Sequence, residues 1–432
     1  MTVDFLTLGC KVNHCETQAI WEQFAAVGYD RFSSDSGDAP DVFVLNSCTV
    51  TAESDRKTRQ AVRRTRKQYP FTVIALIGCM PQAFPDDVRM LIEADLVLGH
   101  VKDENLPEIV AEFLRDRKRI VAVTPHEPHE QLCGGTVTAA HRQGALRVRA
   151  SVKIEDGCDR FCAYCIIPFA RGGVRSKPLA AIADEVNALA EIGYLEVTLV
   201  GINLSDYGKE LSLTLADAIG AAAGHGLRLR LGSLEPDRID DGLLDMLADT
   251  PEFCPHFHLS LQSGCDRTLA AMNRHYAAAD YQVLAGRIRA RFPAAALTTD
   301  IMVGFPGETG SDFEDSLAFV QSIGFADAHV FPYSRRAGTP AATHPHQVSR
   351  AIKVERARRM QAAVTESKRA FFRSLVGKPV LVLAESVRPD GLYGYSESYT
   401  PVCFAGNADQ IGQLVPVRIT DAVEDACIGE VM

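Results

Sequence analysis

Apolar and polar positions alternate in blocks along the first 125 residues. Short apolar runs at 3–8 (VDFLTL), 41–46 (DVFVLN), 71–77 (FTVIALI) and 95–98 (DLVL) are followed by polar, helix-compatible stretches at 16–27, 53–68, 86–93 and 103–117. Nearly continuous apolar strands separated by helices are the pattern of a parallel sheet covered on both faces. Residues 126–145, with Pro128, Gly134, Gly135 and several His just after Pro125, read as a linker. Alternation resumes over 146–374 with a longer period. Strand-like runs RVRASVKI (147–154), LEVTLV (195–200), LRLRLG (227–232), HFHLSL (256–261), LTTDIMV (297–303) and DAHVF (327–331) are interleaved with helical stretches near 178–192, 212–224, 239–249, 278–291 and 310–322. Six such runs predict a partial or complete parallel β/α barrel. A basic amphipathic helix is predicted at 349–374. Over 375–432 the pattern changes to short β-like runs, PVLVLAES, LYGYS, YTPVCF and QLVPVRIT, separated by Gly, Pro, Asn and Asp, as in a small all-β module.

The 432 residues thus divide into 1–125, the linker 126–145, 146–374 and 375–432. Composition is that of a soluble globular protein, with 47% apolar and 23% charged residues. No apolar run approaches the ~18 residues of a membrane span. Asp4 interrupts the first apolar run and no basic lead-in precedes it, so no signal peptide is expected and the cytoplasm is the expected compartment. The net charge of −10 argues against wholesale polyanion binding but hides local patches. Residues 56–67 hold seven basic and no acidic side chains, and 350–373 hold eight basic side chains against Glu355 and Glu366.

Twelve cysteines are many for a reducing compartment, where clustered thiols more often bind metal than pair. Cys158, Cys162 and Cys165 form a CxxxCxxC directly after a strand run. Three thiolates on one loop can hold three irons of a cubane and leave the fourth iron without a protein ligand. The alternative, a structural zinc site, wants a closed set of four ligands, and no nearby His or Cys completes one. The spacing resembles the radical S-adenosylmethionine (SAM) enzymes. That resemblance implies a [4Fe–4S] cluster whose open iron is chelated by SAM, and reductive cleavage of SAM to a 5′-deoxyadenosyl radical. The polar or glycine residues ending the barrel strands, Asn203, Ser233, Glu235, Gln262, Ser263 and Gly304, are then expected to line the cofactor pocket, as barrel sites lie at that end.

Cys10, Cys48 and Cys79 each sit just past the carboxyl end of a strand run, the edge where open α/β sheets bind ligands. Three thiols delivered to one rim suggest a second cluster. Cys15, Cys254, Cys403 and Cys427 are read as packed small hydrophobes, while Cys133, in the linker, resists interpretation. With TLGCKVN (7–13), NSCTVT (46–51), GCMPQ (78–82), GCDRFCAYCIIPFARGGVRS (157–176), LSLQSGCDRTLAAMNRHY (259–276), TTDIMVGFPGET (298–309) and HVFPYSRRAGTPAA (329–342), the chain resembles the methylthiotransferases over essentially its full length. Cys265 stands where that family usually has Ser, and the last module, similar to an OB-like TRAM domain, is short.

The resemblance implies two [4Fe–4S] clusters, with Cys10, Cys48 and Cys79 holding the auxiliary one. One SAM methylates sulfur and another generates the radical. Its implied partners are the anticodon stem-loop of a tRNA, a low-potential electron donor such as a flavodoxin or ferredoxin, and a sulfur donor, with no membrane. Lys11-Val12-Asn13 resembles the branch acting on threonylcarbamoyladenosine beside the anticodon, rather than the branches acting on isopentenyladenosine or a ribosomal-protein aspartate. Lys11 and Asn13, and Arg350, Lys353 and Arg356 on the basic helix, are the expected substrate contacts, with Lys11 placed to meet the threonyl carboxylate. A plain iron–sulfur electron carrier would need neither an open iron nor a barrel pocket.

Overall fold

The structure is a computed structural model that describes residues 1–33, 38–100, 105–126, 132 and 148–432. Apart from His126 and Leu132, the linker, including Cys133, lies outside the described residues.

The first domain is an all-parallel six-stranded sheet. Its strands are β1 (Thr2–Thr7), β2 (Asp30–Arg31), β3 (Val42–Ser47), β4 (Val73–Gly78), β5 (Leu96–Leu98) and β6 (Ile120–Ala122), ordered β2-β1-β3-β4-β5-β6. Successive side chains of a strand point to opposite faces, and β3 shows the consequence. Val42 and Val44 pack with Ile20, Trp21 and Phe24, while Phe43 and Leu45 pack with Val62, Leu76 and Met80. Both faces are therefore apolar, which is why these runs read as continuous. The edge strands β2 and β6 escape the sequence pattern because they are two and three residues long.

In the second domain the parallel strands are β7 (Ala150–Lys153), β10 (Glu196–Val200), β11 (Arg228–Leu231), β12 (Ser233–Leu234), β13 (His256–Leu259), β14 (Ala296–Val303) and β15 (Asp327–Pro332). A two-stranded ribbon, β8 (Glu155–Asp156) with β9 (Arg175–Ser176), is antiparallel and, at two residues a strand, carries no sequence pattern. Gly232 divides the third strand: β11 pairs with β10, and β12 pairs with β13. The result is a partial barrel, ordered β7-β10-β11 and β12-β13-β14-β15, in which β7 and β15 do not pair. Helices Leu179–Glu191, Leu215–Ala222, Asp241–Ala248, Ala278–Arg291 and Gly310–Ile323 pack outside it around one continuous apolar core.

Helix Arg350–Leu375 leads from β15 into a closed five-stranded barrel of β16 (Pro379–Arg388), β17 (Gly391–Tyr395), β18 (Pro401–Phe404), β19 (Leu414–Ala422) and β20 (Cys427–Val431), ordered β16-β17-β18-β20-β19. The closing strand β20, with Gly429 and Glu430 in its five residues, is too weakly apolar to read from sequence. Among the described residues no helix is long and apolar enough to cross a membrane.

Candidate cluster sites and reaction cavity

The CxxxCxxC loop is pinched at its base. Gly157 has φ +89°, and a Cβ there would overlap the Gly173 carbonyl, so only glycine lets the two arms of the β8–β9 ribbon approach. The Cys158 amide donates to the Gly172 carbonyl at 2.9 Å, and the Cys165 amide to the Cys162 carbonyl at 2.9 Å. Asn273 Nδ2 holds the carbonyls of Arg160 and Phe161, and Arg274 Nη1 donates to Cys162 Sγ at 3.3 Å. Burial pushes the Cys158 and Cys165 thiols up to about 12, and the neighbouring Cys162 raises each further. Iron reverses that balance, because a coordinating thiol is deprotonated by the metal's charge. Three soft donors on one loop, close enough to repel one another as anions, fit a cluster with one iron left open. Among the described residues no three His, Cys, Asp or Glu side chains gather as a single ion would require.

The other three cysteines converge at the rim of the first sheet because β1, β3 and β4 are neighbours there. Gly9 sits at φ +118°, and a Cβ on it would stand 2.8 Å from Cys48 Cβ and 3.3 Å from Cys48 Sγ. The turn before Cys10 is thus pressed directly onto the turn bearing Cys48. Cys10 is exposed as the N-cap of helix Lys11–Ala26, whereas Cys48 and Cys79 are buried. Burial pushes the Cys79 thiol up to about 12; Cys10 and Cys48 add to the rise, and Arg171 opposes it. The same donor chemistry, three mutually repelling thiols with a buried guanidinium nearby, fits a second cluster.

Asn13, expected at the substrate, is instead buried at the centre of this rim. Its Nδ2 donates to the carbonyls of Leu8 (3.1 Å) and Ser47 (3.0 Å), while its Oδ1 accepts from Cys10 Sγ at 3.3 Å and from Arg171 Nη2 at 2.9 Å. It positions the cysteine turns. Arg171, which no local pattern singles out, is fully buried and also donates to Glu16 Oε1 and Asp156 Oδ1, each at 2.8 Å. One guanidinium therefore ties the Cys10 turn to the segment preceding Cys158. Arg336 makes a second tie: its Nη2 donates to Thr49 Oγ1 and Asp55 Oδ2, both at 2.7 Å, fixing the Cys48 loop to the barrel. Cys15 packs across the same interface with Sγ 3.5 Å from the Ser151 carbonyl, and Cys254, Cys265, Cys403 and Cys427 are buried free thiols.

Between these elements lies a cavity of about 660 Å³, lined by residues of all three domains, among them Cys10, Lys11, Ser233, His258, His329 and Tyr399. Tyr399 comes from the loop joining β17 to β18 and is held at φ +60°. Its ring lies between Tyr395 (4.8 Å, 22°) and His256 (4.9 Å, 27°). Lys11 Nζ stands 5.5 Å, and the guanidinium carbons of Arg149 and Arg230 stand 4.8 and 4.9 Å, from its ring centre. The arginines have acidic partners. Arg149 pairs with Glu385, and fully buried Arg230 makes two bonds at 3.0 Å to Glu196 while donating to the carbonyls of Ser396 and Glu397. Lys11 has no ion pair among the described residues, and burial pushes its pKa down.

The remaining expected residues divide. Ser233 lines the cavity. Asn203 Oδ1 and Gln262 Oε1 are buried without partners, as groups awaiting a polar ligand would be. Glu235 is engaged by Arg274, Ser263 is buried beneath a turn, and Gly304 has φ +70° against Lys353, so these three serve the local architecture. On the basic helix, Arg356 is buried on the Glu308 carbonyl and carboxylate, and Lys353 Nζ donates to the Tyr333 carbonyl at 2.9 Å. Both turn inward, because the helix must pack on β15 and on Gly310–Ile323. Arg350 alone of the three is exposed.

Comparison with known proteins agrees with this geometry. Residues 152–320 match the Radical SAM superfamily, and residues 2–99 match Uncharacterized protein family UPF0004. The chain is 34% identical to "Threonylcarbamoyladenosine tRNA methylthiotransferase MtaB" of Bacillus subtilis, covering 98% of this chain and 94% of that one. It is 33% identical to "tRNA-2-methylthio-N(6)-dimethylallyladenosine synthase" of Pelotomaculum thermopropionicum, over 96% and 94%. Among solved structures, the radical SAM methyltransferase TsrM of Kitasatospora setae shares the fold at a TM-score of 0.58 and 15% identity, over 79% of this chain and 77% of that one. The chain is a radical SAM enzyme, a class that works with SAM and a [4Fe–4S] cluster. It belongs to the methylthiotransferase family and resembles the members named MtaB.

Proposed function

We propose that this enzyme converts N6-threonylcarbamoyladenosine beside the anticodon of a tRNA to its 2-methylthio derivative in the cytoplasm. Cys158, Cys162 and Cys165 hold the radical cluster, and Cys10, Cys48 and Cys79 hold an auxiliary [4Fe–4S] cluster. A low-potential flavodoxin or ferredoxin and a sulfur donor serve them. With SAM, these groups supply a methylated sulfur and a 5′-deoxyadenosyl radical, which together replace the C2 hydrogen of the base.

The observation that carries the choice of substrate is Lys11. It lies in the cavity beside Cys10 with no acidic partner among the described residues, and its two cationic neighbours already engage Glu196 and Glu385. A half-buried ammonium with no acidic partner among the described residues favours a ligand that brings a carboxylate. The threonylcarbamoyl group has one, whereas the isopentenyl group is apolar. Identity does not separate these branches, since relatives of both kinds lie at 33–34%. Two measurements test the reading. Nucleoside mass spectrometry of tRNA from a deletion strain should show the methylthio group missing from threonylcarbamoyladenosine; its unchanged presence refutes the assignment. Lys11→Ala should weaken binding of a stem-loop bearing the carboxylate by roughly tenfold or more, and hardly affect one lacking it. Equal weakening of both removes Lys11 from carboxylate recognition.

A further inference from the structure

We propose that the exposed face of helix Ala52–Gln68 is the track on which the phosphate backbone of the substrate RNA lies. This rests on the reading of the substrate as a tRNA and names the surface that grips it.

The two basic stretches, similar in sequence, differ in the folded chain. On Arg350–Leu375 most charges are matched: Arg356 by Glu308, Arg358 by Glu355, Arg359 by Glu314, Lys368 by Asp327 and Arg369 by Glu424. On Ala52–Gln68 the acidic partners are Glu53 for Arg56, Glu93 for Arg63 and Asp95 for Arg66. Lys57, Arg59, Arg64 and Lys67 have no ion pair among the described residues. Residues three and four apart on a helix are neighbours, so Arg56, Arg59, Arg63 and Lys67 form one row. A groove of about 510 Å³ along it is lined by Arg56, Arg59, Gln60, Arg63, Arg64 and Lys67.

In a chain of net charge −10, an excess of cations confined to one helix face is a local attractor for polyanions. Its placement suits a substrate track. The helix starts four residues after Cys48, is capped by Thr51 Oγ1 on the Ser54 amide, and is anchored to the barrel where the Ala52 amide meets Ser334 Oγ at 3.0 Å. It runs back along the sheet from the rim for roughly 25 Å, at about 1.5 Å per residue, packing on β3 and β4, so RNA held along its exposed face has one end at the cysteine turns. The groove holds no apolar side chain of the kind that anchors protein interfaces, which favours RNA over an acidic protein partner.

The test is titration of a labelled anticodon stem-loop onto the reconstituted full chain across a salt series. Combining Arg59→Gln, Arg63→Gln, Arg64→Gln and Lys67→Gln should weaken binding roughly tenfold or more at 0.1 M salt and lower the slope of log affinity against log salt by about 3 to 4, near one per lost phosphate contact. Trp21 fluorescence checks folding. Arg358→Gln with Arg359→Gln should lower the slope by less than about 1. Unchanged affinity and slope in the quadruple variant overturn the proposal, as does a larger effect from the pair at 358 and 359. If RNA binding holds but reduction by an acidic flavodoxin slows, the surface is a protein dock and the proposal falls. Threonylcarbamoyl and isopentenyl stem-loops are titrated in parallel. A loss common to both supports the track, whereas wild-type modification of the isopentenyl loop alone refutes the substrate assignment and leaves the track intact.

Discussion

Replacing Arg171 by Met should loosen the junction between the first sheet and the barrel. Arg171 has no exposed surface and makes four hydrogen bonds, two to Glu16 and one each to Asp156 and Asn13. Its charge, with that of Lys153, holds the Glu16 and Asp156 carboxyls well below the usual carboxylate range despite burial. Methionine fills much of the volume but removes the guanidinium shared by the Glu16 and Asp156 carboxylates. Losing one partner of a buried pair typically costs about 3–5 kcal/mol. Lys153, at 3.0 Å from Glu16 and 3.2 Å from Asp156, and Arg175, at 3.3 Å from Asp156, remain, so the lower end, about 3 kcal/mol, applies. The chain's one tryptophan, Trp21, is buried on the helix that carries Asn13 and Glu16, so urea unfolding followed by its fluorescence reads the affected domain. Depressed carboxylate pKa values contribute stability above about pH 4 that is lost as pH falls. The deficit of Arg171→Met should therefore be full at pH 7, still nearly full at pH 5, and shrink only as pH falls below about 4. A deficit below about 0.5 kcal/mol at pH 7, within the scatter of surface substitutions, would show that the guanidinium does not hold the junction.

Other outcomes follow from the same geometry. Replacing Cys10, Cys48 and Cys79 together by Ala should lower iron in the reconstituted chain from about eight to about four atoms and leave 5′-deoxyadenosine release from SAM measurable; eight irons retained would exclude the rim as a cluster site. At β14, Asp300 lies 3.4 Å from His258 Nε2 and 3.5 Å from His329 Nδ1, and it raises the His329 pKa. A raised histidine pKa gives stability that is present below the unfolded value near 6.5 and lost as pH rises. Asp300→Asn should thus destabilise more at pH 5.5 than at pH 8.5 in thermal melts, by a modest margin because His329 is largely exposed; the reverse order would refute the coupling.

Much of this was legible in the sequence because it rests on local pattern. The parallel strands, their helices and the six cysteines are fixed by runs of β-branched residues and by spacing within a few residues. The convergence of Cys10, Cys48 and Cys79 could be read because each follows a strand, although the strand order making β1, β3 and β4 neighbours could not. What stayed hidden depends on long-range contact. Asn13 looked like a substrate residue because it stands beside Lys11, yet helix geometry turns it into the sheet rim. Arg356 looked like an RNA contact because it stands on the basic helix next to the C-terminal module, and its partner Glu308 lies 48 residues away. Arg171, Arg230 and Tyr399 carry no local signature at all, since their roles arise only where domains meet.

The bonds from Arg230 to the carbonyls of Ser396 and Glu397 have a consequence for how the molecule can be taken apart. They hold the loop joining β17 to β18 against β11, so a module that looks detachable in sequence forms a wall of the cavity beside Cys10 and Lys11. Cutting the chain after Leu375 would remove more than a self-contained barrel. It would open that cavity to water and remove the Tyr399 ring that stands beside Lys11. Swapping in the corresponding module of a relative would succeed only if the guest brought carbonyls to meet Arg230 and a ring to stand where Tyr399 stands.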